Sequence, residues 1–128
     1  MILDTTFLID LEREMMKKTP GKAMKFLKDH PGDVMRICVI TLGELSEGYA
    51  EGSEKELQEM TAPYDIVEIG KETALIYGRF SRAQRAAGCR IGDNDLWIAA
   101  TARELDEPLV TRDDGHSARV SGLTILTY

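Results

Sequence analysis

The chain has 128 residues and a mass of 14.3 kDa, within the usual size of a single domain, so a second hydrophobic core has no room. Hydrophobic residues at 43% and charged residues at 30% exclude the disordered, collagen-like and membrane-embedded classes. Sixteen Lys and Arg against 22 Asp and Glu leave a net charge of −6, the wrong sign for gripping nucleic acid by phosphate attraction alone. A nucleic-acid role would therefore need help from cations.

In chain order, Ile2-Leu3 reads as a short buried strand that ends at Asp4. Lys22 to Lys28 is a basic amphipathic helix carrying Ala23, Met24, Phe26 and Leu27. Ile37-Cys38-Val39-Ile40 is an apolar run of strand length, and Thr41 to Ala50 repeats Leu42, Leu45 and Tyr49 at helical spacing. Ile66-Val67-Glu68-Ile69 is the next strand, and Lys71 to Ala87 a long helix. Leu96 to Ala102 is apolar nearly all round, the pattern of a central helix packed on several sides. Leu109-Val110 and a weaker Leu123-Thr124-Ile125-Leu126 complete the strands. Strands alternating with helices imply βαβ units, hence a three-layer α/β/α sandwich with a mostly parallel central sheet. No repeat, linker or low-complexity tract divides it, so residues 1–128 are expected to form one domain. The opening Met1-Ile2-Leu3-Asp4 has no basic n-region, and no apolar run approaches about 18 residues, which leads to the expectation of a cytoplasmic protein without membrane contact. Cys38 and Cys89 form no C-x-x-C pair and read as reduced, core-type thiols.

Ligands of a parallel sheet sit beyond the carboxyl ends of its strands, and four acids fall there. Asp4 ends the first strand, Glu44 lies just after the second, Asp95 opens the central helix, and Asp113 follows Leu109-Val110-Thr111-Arg112. Carboxylates gathered within a few ångströms repel and raise one another's pKa unless a divalent cation neutralises them. Mg²⁺ or Mn²⁺ suits oxygen ligands, and Mg²⁺ usually completes its shell with waters and substrate phosphates. Phosphodiester hydrolysis with a metal-activated water as nucleophile follows from such a site. Each acid also has a structural reading. Thr41-Leu42-Gly43-Glu44 has the form of a capping box, so Glu44 stands between two roles, and Ser53-Glu54-Lys55-Glu56 has the same form with no other role. Asp93 reads as the N-cap of the central helix, Asp114 as part of an Asp-Gly turn, and Asp10 as a solvated face. The matching placement of all four acids, rather than any one of them, carries the metal-site reading.

These segments resemble the PIN-domain family, and more narrowly the VapC-type toxins of prokaryotic toxin–antitoxin pairs. The resemblance runs through Ile2-Leu3-Asp4-Thr5-Thr6-Phe7-Leu8-Ile9-Asp10, Thr41-Leu42-Gly43-Glu44-Leu45, Asn94-Asp95-Leu96-Trp97-Ile98-Ala99-Ala100-Thr101-Ala102 and Leu109-Val110-Thr111-Arg112-Asp113, with Val120-Ser121-Gly122-Leu123 toward the last strand. It implies a Mg²⁺- or Mn²⁺-dependent endoribonuclease with Asp4, Glu44, Asp95 and Asp113 as metal-coordinating catalytic acids. Thr6, Thr111 and Asp93 are then supporting polar residues. It also implies an RNA substrate, a VapB-like antitoxin partner and a homodimer. One departure is Gly115-His116-Ser117, where many members carry a Phe, which implies a loop of different shape.

Arg79, Arg82 and Arg85 recur every three residues along the long helix, and Arg90 follows it. They read either as a solvated face or as a track for RNA phosphates. Lys17, Lys18, Lys22, Lys25 and Lys28 form a second basic patch, Trp97 reads as core, and His116 as a surface loop residue. Two rival functions stand beside the nuclease. A receiver-like phosphoacceptor domain would need an acid pair after the first strand and a Lys after a late strand, where this chain has Arg112. A catalytically inactive PIN-fold binding module would be expected to lack one of the four acids.

Overall fold

The computed structural model describes residues 1–112, 115, 120 and 122–128. Asp113, Asp114, His116, Ser117 and Ser121 lie outside the described residues. Five strands, β1 (Ile2–Leu3), β2 (Arg36–Cys38), β3 (Asp65–Val67), β4 (Leu109–Thr111) and β5 (Ile125–Thr127), lie in the order β3-β2-β1-β4-β5. Every neighbouring pair is parallel, so the sheet is wholly rather than mostly so. Parallel strands need crossovers, and the described residues supply six helices for them: α1 (Thr5–Lys17), α2 (Lys22–Asp29), α3 (Val39–Glu47), α4 (Glu54–Thr61), α5 (Lys71–Ala87) and α6 (Asp93–Glu104).

The side-chain alternation of the strands builds the three layers. Ile2, Cys38 and Leu109 join a core with Leu96, Ile98, Ala99 and Ala102 of α6. Their strand neighbours Leu3, Ile37 and Val110 point the other way, into a core with Phe7, Leu8 and Leu11 of α1, Ala23 and Phe26 of α2, and Leu45 of α3. The chain winds outward from β1 through β2 to β3 and then returns to β4 on the opposite side of β1. The order therefore reverses between β1 and β4, and the crevice at that point is where a doubly wound sheet binds its ligand. This order also differs from the 2-1-3-4-5 order of receiver-type sheets, which removes the phosphoacceptor reading.

Several boundaries differ from the sequence expectation for identifiable reasons. The apolar run Ile37–Ile40 splits, with β2 ending at Cys38 and α3 starting at Val39, because a buried strand and a buried helix share the same apolar signature. Thr41 is thus already inside α3, whose N-cap is Cys38, and no capping box forms around Glu44. Ser53 does precede α4, although its side chain makes no capping bond. Gly92, not Asp93, is the N-cap of α6, because the Asp93 carboxylate is drawn to the Tyr77 hydroxyl (3.1 Å) and Arg90 Nη2 (2.9 Å). Trp97 is half-buried and stacks on Tyr77 with ring centroids 4.0 Å apart, rather than sinking into the core. Cys38 is buried as expected and Cys89 half-buried. No helix among the described residues is long and apolar enough to cross a membrane.

The α1–α2 connection had no signal in the sequence reading and is tightly built. Glu14 on α1 accepts the backbone N–H groups of Gly21 (3.0 Å), Ala23 (3.0 Å) and Met24 (2.8 Å), satisfying the open donors at the start of α2. A Cβ at Gly21 would run into the Glu14 carboxylate and push it away from these three N–H groups.

Candidate functional site

Asp4 leaves β1 with its backbone N–H bonded to the Val110 carbonyl of β4 at 3.1 Å, so it stands at the β1/β4 reversal. Its Oδ1 accepts the Phe7 N–H at 2.7 Å, making it the N-cap of α1 and fixing its side chain at the carboxyl edge of the sheet. The Thr111 side chain, from the end of β4, hydrogen-bonds the same carboxylate. Burial pushes the Asp4 carboxyl above its ordinary value, and the negative charge of Asp95 pushes it in the same direction. The Thr111 and Phe7 hydrogen bonds and the Arg112 charge oppose that rise without cancelling it.

Asp95 reaches the reversal from the first turn of α6, beside Gly92. Glu44 on α3 comes to the same edge from the other side of β1, where its Oε1 accepts the Thr5 hydroxyl at 2.6 Å. The Thr5 oxygen also lies 3.5 Å from the Thr41 hydroxyl. Thr5, adjacent to Asp4 in the chain, is therefore the hydroxyl that ties Glu44 to the start of α1. The side chain of Thr6, the residue the family resemblance singled out, makes no hydrogen bond among the described residues. Thr5 carried no signal of its own, because its role depends on where α3 packs. Glu44 shares with Glu12, Tyr49 and Ile9 a crevice of about 140 Å³, in which the Tyr49 hydroxyl donates to Glu12 Oε1 at 2.6 Å. Burial and the Glu12 carboxylate push the Tyr49 phenol up to about 12.

The fourth acid, Asp113, lies outside the described residues. Among the described residues no three His, Cys, Asp or Glu side chains stand close enough to chelate one ion. The juxtaposition on view is Asp4 with Asp95, flanked by Glu44. A buried carboxylate held above its usual value by a second carboxylate is the electrostatic condition that a divalent cation relieves, so the donor set fits Mg²⁺ or Mn²⁺.

Asp10 is corrected from a solvated position to a fastening. Its carboxylate is 17% exposed, and Oδ2 accepts both Arg112 Nη1 and the Tyr128 hydroxyl at 2.9 Å each. Arg79, Arg82 and Arg85 are exposed on α5 and form no ion pair among the described residues. Arg90 is engaged with Asp93.

A wholly parallel α/β/α sandwich whose order reverses between β1 and β4, with Asp4 and Asp95 at that edge, defines a doubly wound α/β protein. Its family is the PIN domain, which matches residues 1–122, and the chain belongs to it. Among relatives, ribonuclease VapC1 of Haemophilus influenzae (strain R2866) is 28% identical over 128 residues, covering 95% of this chain and 92% of that protein. Ribonuclease VapC1 of Methanocaldococcus jannaschii is 25% identical over 130 residues, covering 100% and 86%. The structure of VapBC-1 from nontypeable Haemophilus influenzae superposes with a TM-score of 0.82 at 26% identity, over 98% of this chain and 96% of that one. VapBC2 from Rickettsia felis, bound to a promoter DNA fragment, has a TM-score of 0.83 at 22% identity, over 99% and 97%, and attests the fold.

Proposed function

We propose that residues 1–128 are a single PIN nuclease domain that cleaves RNA internally by Mg²⁺- or Mn²⁺-dependent hydrolysis, as the toxin of a VapBC-type pair. The observation that carries the reading is the Asp4 carboxyl, buried, hydrogen-bonded by Thr111 and held above its ordinary value beside Asp95 at the sheet reversal. Asp4, Asp95, Glu44 and Asp113 are the acids that would hold the ion. When bound, the ion supplies Lewis-acid activation of water and neutralises charge on the phosphodiester. The chain's own residues prepare the site. The Phe7 N–H and Thr111 fix the Asp4 carboxylate, and the Thr5 hydroxyl fixes Glu44. The exposed Arg79, Arg82 and Arg85, with Arg90, offer phosphate contacts that offset the −6 charge.

Named relatives that are VapC ribonucleases, and solved neighbours that are VapBC complexes, support an antitoxin partner. An open apolar groove of about 560 Å³, lined by Leu11, Met15, Met24, Leu27, Met35 and Tyr64, offers such a partner a surface. The acids Asp33 and Asp65 on its lining favour an apolar helix with basic flanks. A cytoplasmic homodimer completes the proposal.

The test is cleavage of RNA with Mn²⁺ by the wild type and by Asp95→Asn. The variant should lose more than about 100-fold, beyond the roughly 10–100-fold typical of an outer-shell residue, with little change in melting temperature. Full activity of Asp95→Asn, or undiminished cleavage in excess EDTA, overturns the reading. Expression without a partner should arrest growth, and Asp4→Asn should restore it.

A further inference from the structure

Arg112 stands where β4 ends, one residue beyond the Thr111 side chain that hydrogen-bonds Asp4. Its Nη1 donates to Asp10 Oδ2 at 2.9 Å, and the Tyr128 hydroxyl donates to that same oxygen at 2.9 Å. The Tyr128 ring in turn meets Phe7 edge-on at 4.8 Å. Asp10 is mostly covered at 17% exposure, whereas the Arg112 side chain is 58% exposed. An ion pair so exposed adds little to stability, and Asp10 already has the tyrosine hydroxyl as a donor. What the pairing does is hold the guanidinium at Nη1, and its other N–H groups meet no acceptor among the described residues. A guanidinium has five N–H donors, more than one carboxylate oxygen can take, and its fork matches a phosphate. Its charge falls on the acid side of the site, where it acts on the Asp4 carboxylate. Fixing the side chain before an anion arrives also reduces the conformational entropy lost on binding.

We propose that Arg112 is a phosphate-binding residue of this site, held at Nη1 by an Asp10 carboxylate that Tyr128 fixes in turn, so that its remaining N–H donors meet an RNA phosphodiester beside Asp4. The assignment rests on the ribonuclease reading above. It differs from the α5 stripe in that Arg112 adjoins the acids, so it acts on the phosphate nearest them, whereas Arg79, Arg82 and Arg85 act along the approach.

The experiment measures anisotropy of a fluorescent single-stranded oligoribonucleotide over a salt series, in an Asp95→Asn background that holds cleavage off. Arg112→Gln, Arg112→Lys and Tyr128→Phe are compared, with Mn²⁺ calorimetry and melting of the same substitutions in the otherwise unaltered chain. Arg112→Gln should weaken RNA binding about tenfold and lower the salt slope by about 0.7, the value for one phosphate on a single strand. Arg112→Lys should recover the slope but only part of the affinity, because it keeps the charge and loses the fork. Mn²⁺ affinity of Arg112→Gln should hold or tighten, since a cation has left the site. Tyr128→Phe should lower the melting temperature while leaving the slope in place. Unchanged RNA affinity and slope in Arg112→Gln overturn the assignment, and so does parallel loss of Mn²⁺ and RNA binding, which would mean that Arg112 only props the acids. If the unaltered chain takes up Mn²⁺ but neither binds nor cleaves the oligoribonucleotide, the ribonuclease reading falls and the assignment falls with it.

Discussion

The two ends of α1 each carry a carboxylate that accepts backbone N–H groups, and they are used differently. Glu14, near the C-terminal end, accepts three N–H groups at the start of α2. Asp4, at the N-terminal end, accepts one N–H and one side-chain hydrogen bond among the described residues, and it faces the charge of Asp95. Glu14 is saturated by its own chain and holds two helices together. Asp4 is left with an electrostatic deficit that the fold itself does not cancel. A carboxylate whose partners are all internal is structural, and one whose partners fall short is available to a ligand.

The largest stability effect should come from breaking the saturated end. Glu14→Ala leaves the first turn of α2 uncapped and should cost about 2 kcal/mol, the upper part of the range for cap removal. Chemical denaturation reads this, while calorimetry should find Mn²⁺ affinity unchanged. Next comes Thr5→Val, which removes the hydroxyl that holds Glu44 and should weaken Mn²⁺ binding by about 10-fold or more, as loss of an outer-shell partner does. Thr5→Ser should restore most of it, and failure of both to change the affinity would detach Glu44 from the ion.

The smallest effect has the opposite sign from most substitutions. Asp4→Asn keeps an N-capping side chain but removes a buried charge that the fold disfavours, so the metal-free protein should melt a few degrees higher. A gain of about 1 kcal/mol corresponds to roughly 3–5 °C in a domain of this size. The pH dependence fixes the cause. Below the ordinary Asp value of 3.8 the side chain is neutral whether folded or unfolded, and the two proteins should differ little. As pH rises the unfolded chain ionises first, so the wild type should lose stability relative to Asp4→Asn up to the raised folded value and keep that deficit above it. Equal stability at all pH values would contradict the contrast between the two ends of α1.

How much of this was legible depended on the sequence distance of the partners. The α5 helix, Lys71 to Ala87, matches its periodicity, since Gly70 and Gly88 flank a long amphipathic run. The place of Asp4 at the carboxyl edge was legible because parallel sheets carry strand-end residues there by rule, and the charge of Asp95 acts on it. The β2–α3 junction was not, because Ile37 to Ile40 is apolar on every side in either conformation. The Asp93 cap failed because Tyr77, on the preceding helix, competes for its carboxylate. Asp10 was misread because its partners Arg112 and Tyr128 lie 102 and 118 residues away, a separation no local pattern reports. Thr5 escaped for the same reason, its acceptor standing 39 residues on.

The most direct measurement is isothermal titration of Mn²⁺ into the metal-free wild type, Asp4→Asn and Asp95→Asn, with melting followed in parallel. Saturable binding that raises the wild-type melting temperature and is lost in both variants, while each remains folded, is the expected result. Binding of equal affinity in all three, or none in the wild type, would contradict the assignment of the β1/β4 reversal as a divalent-cation site.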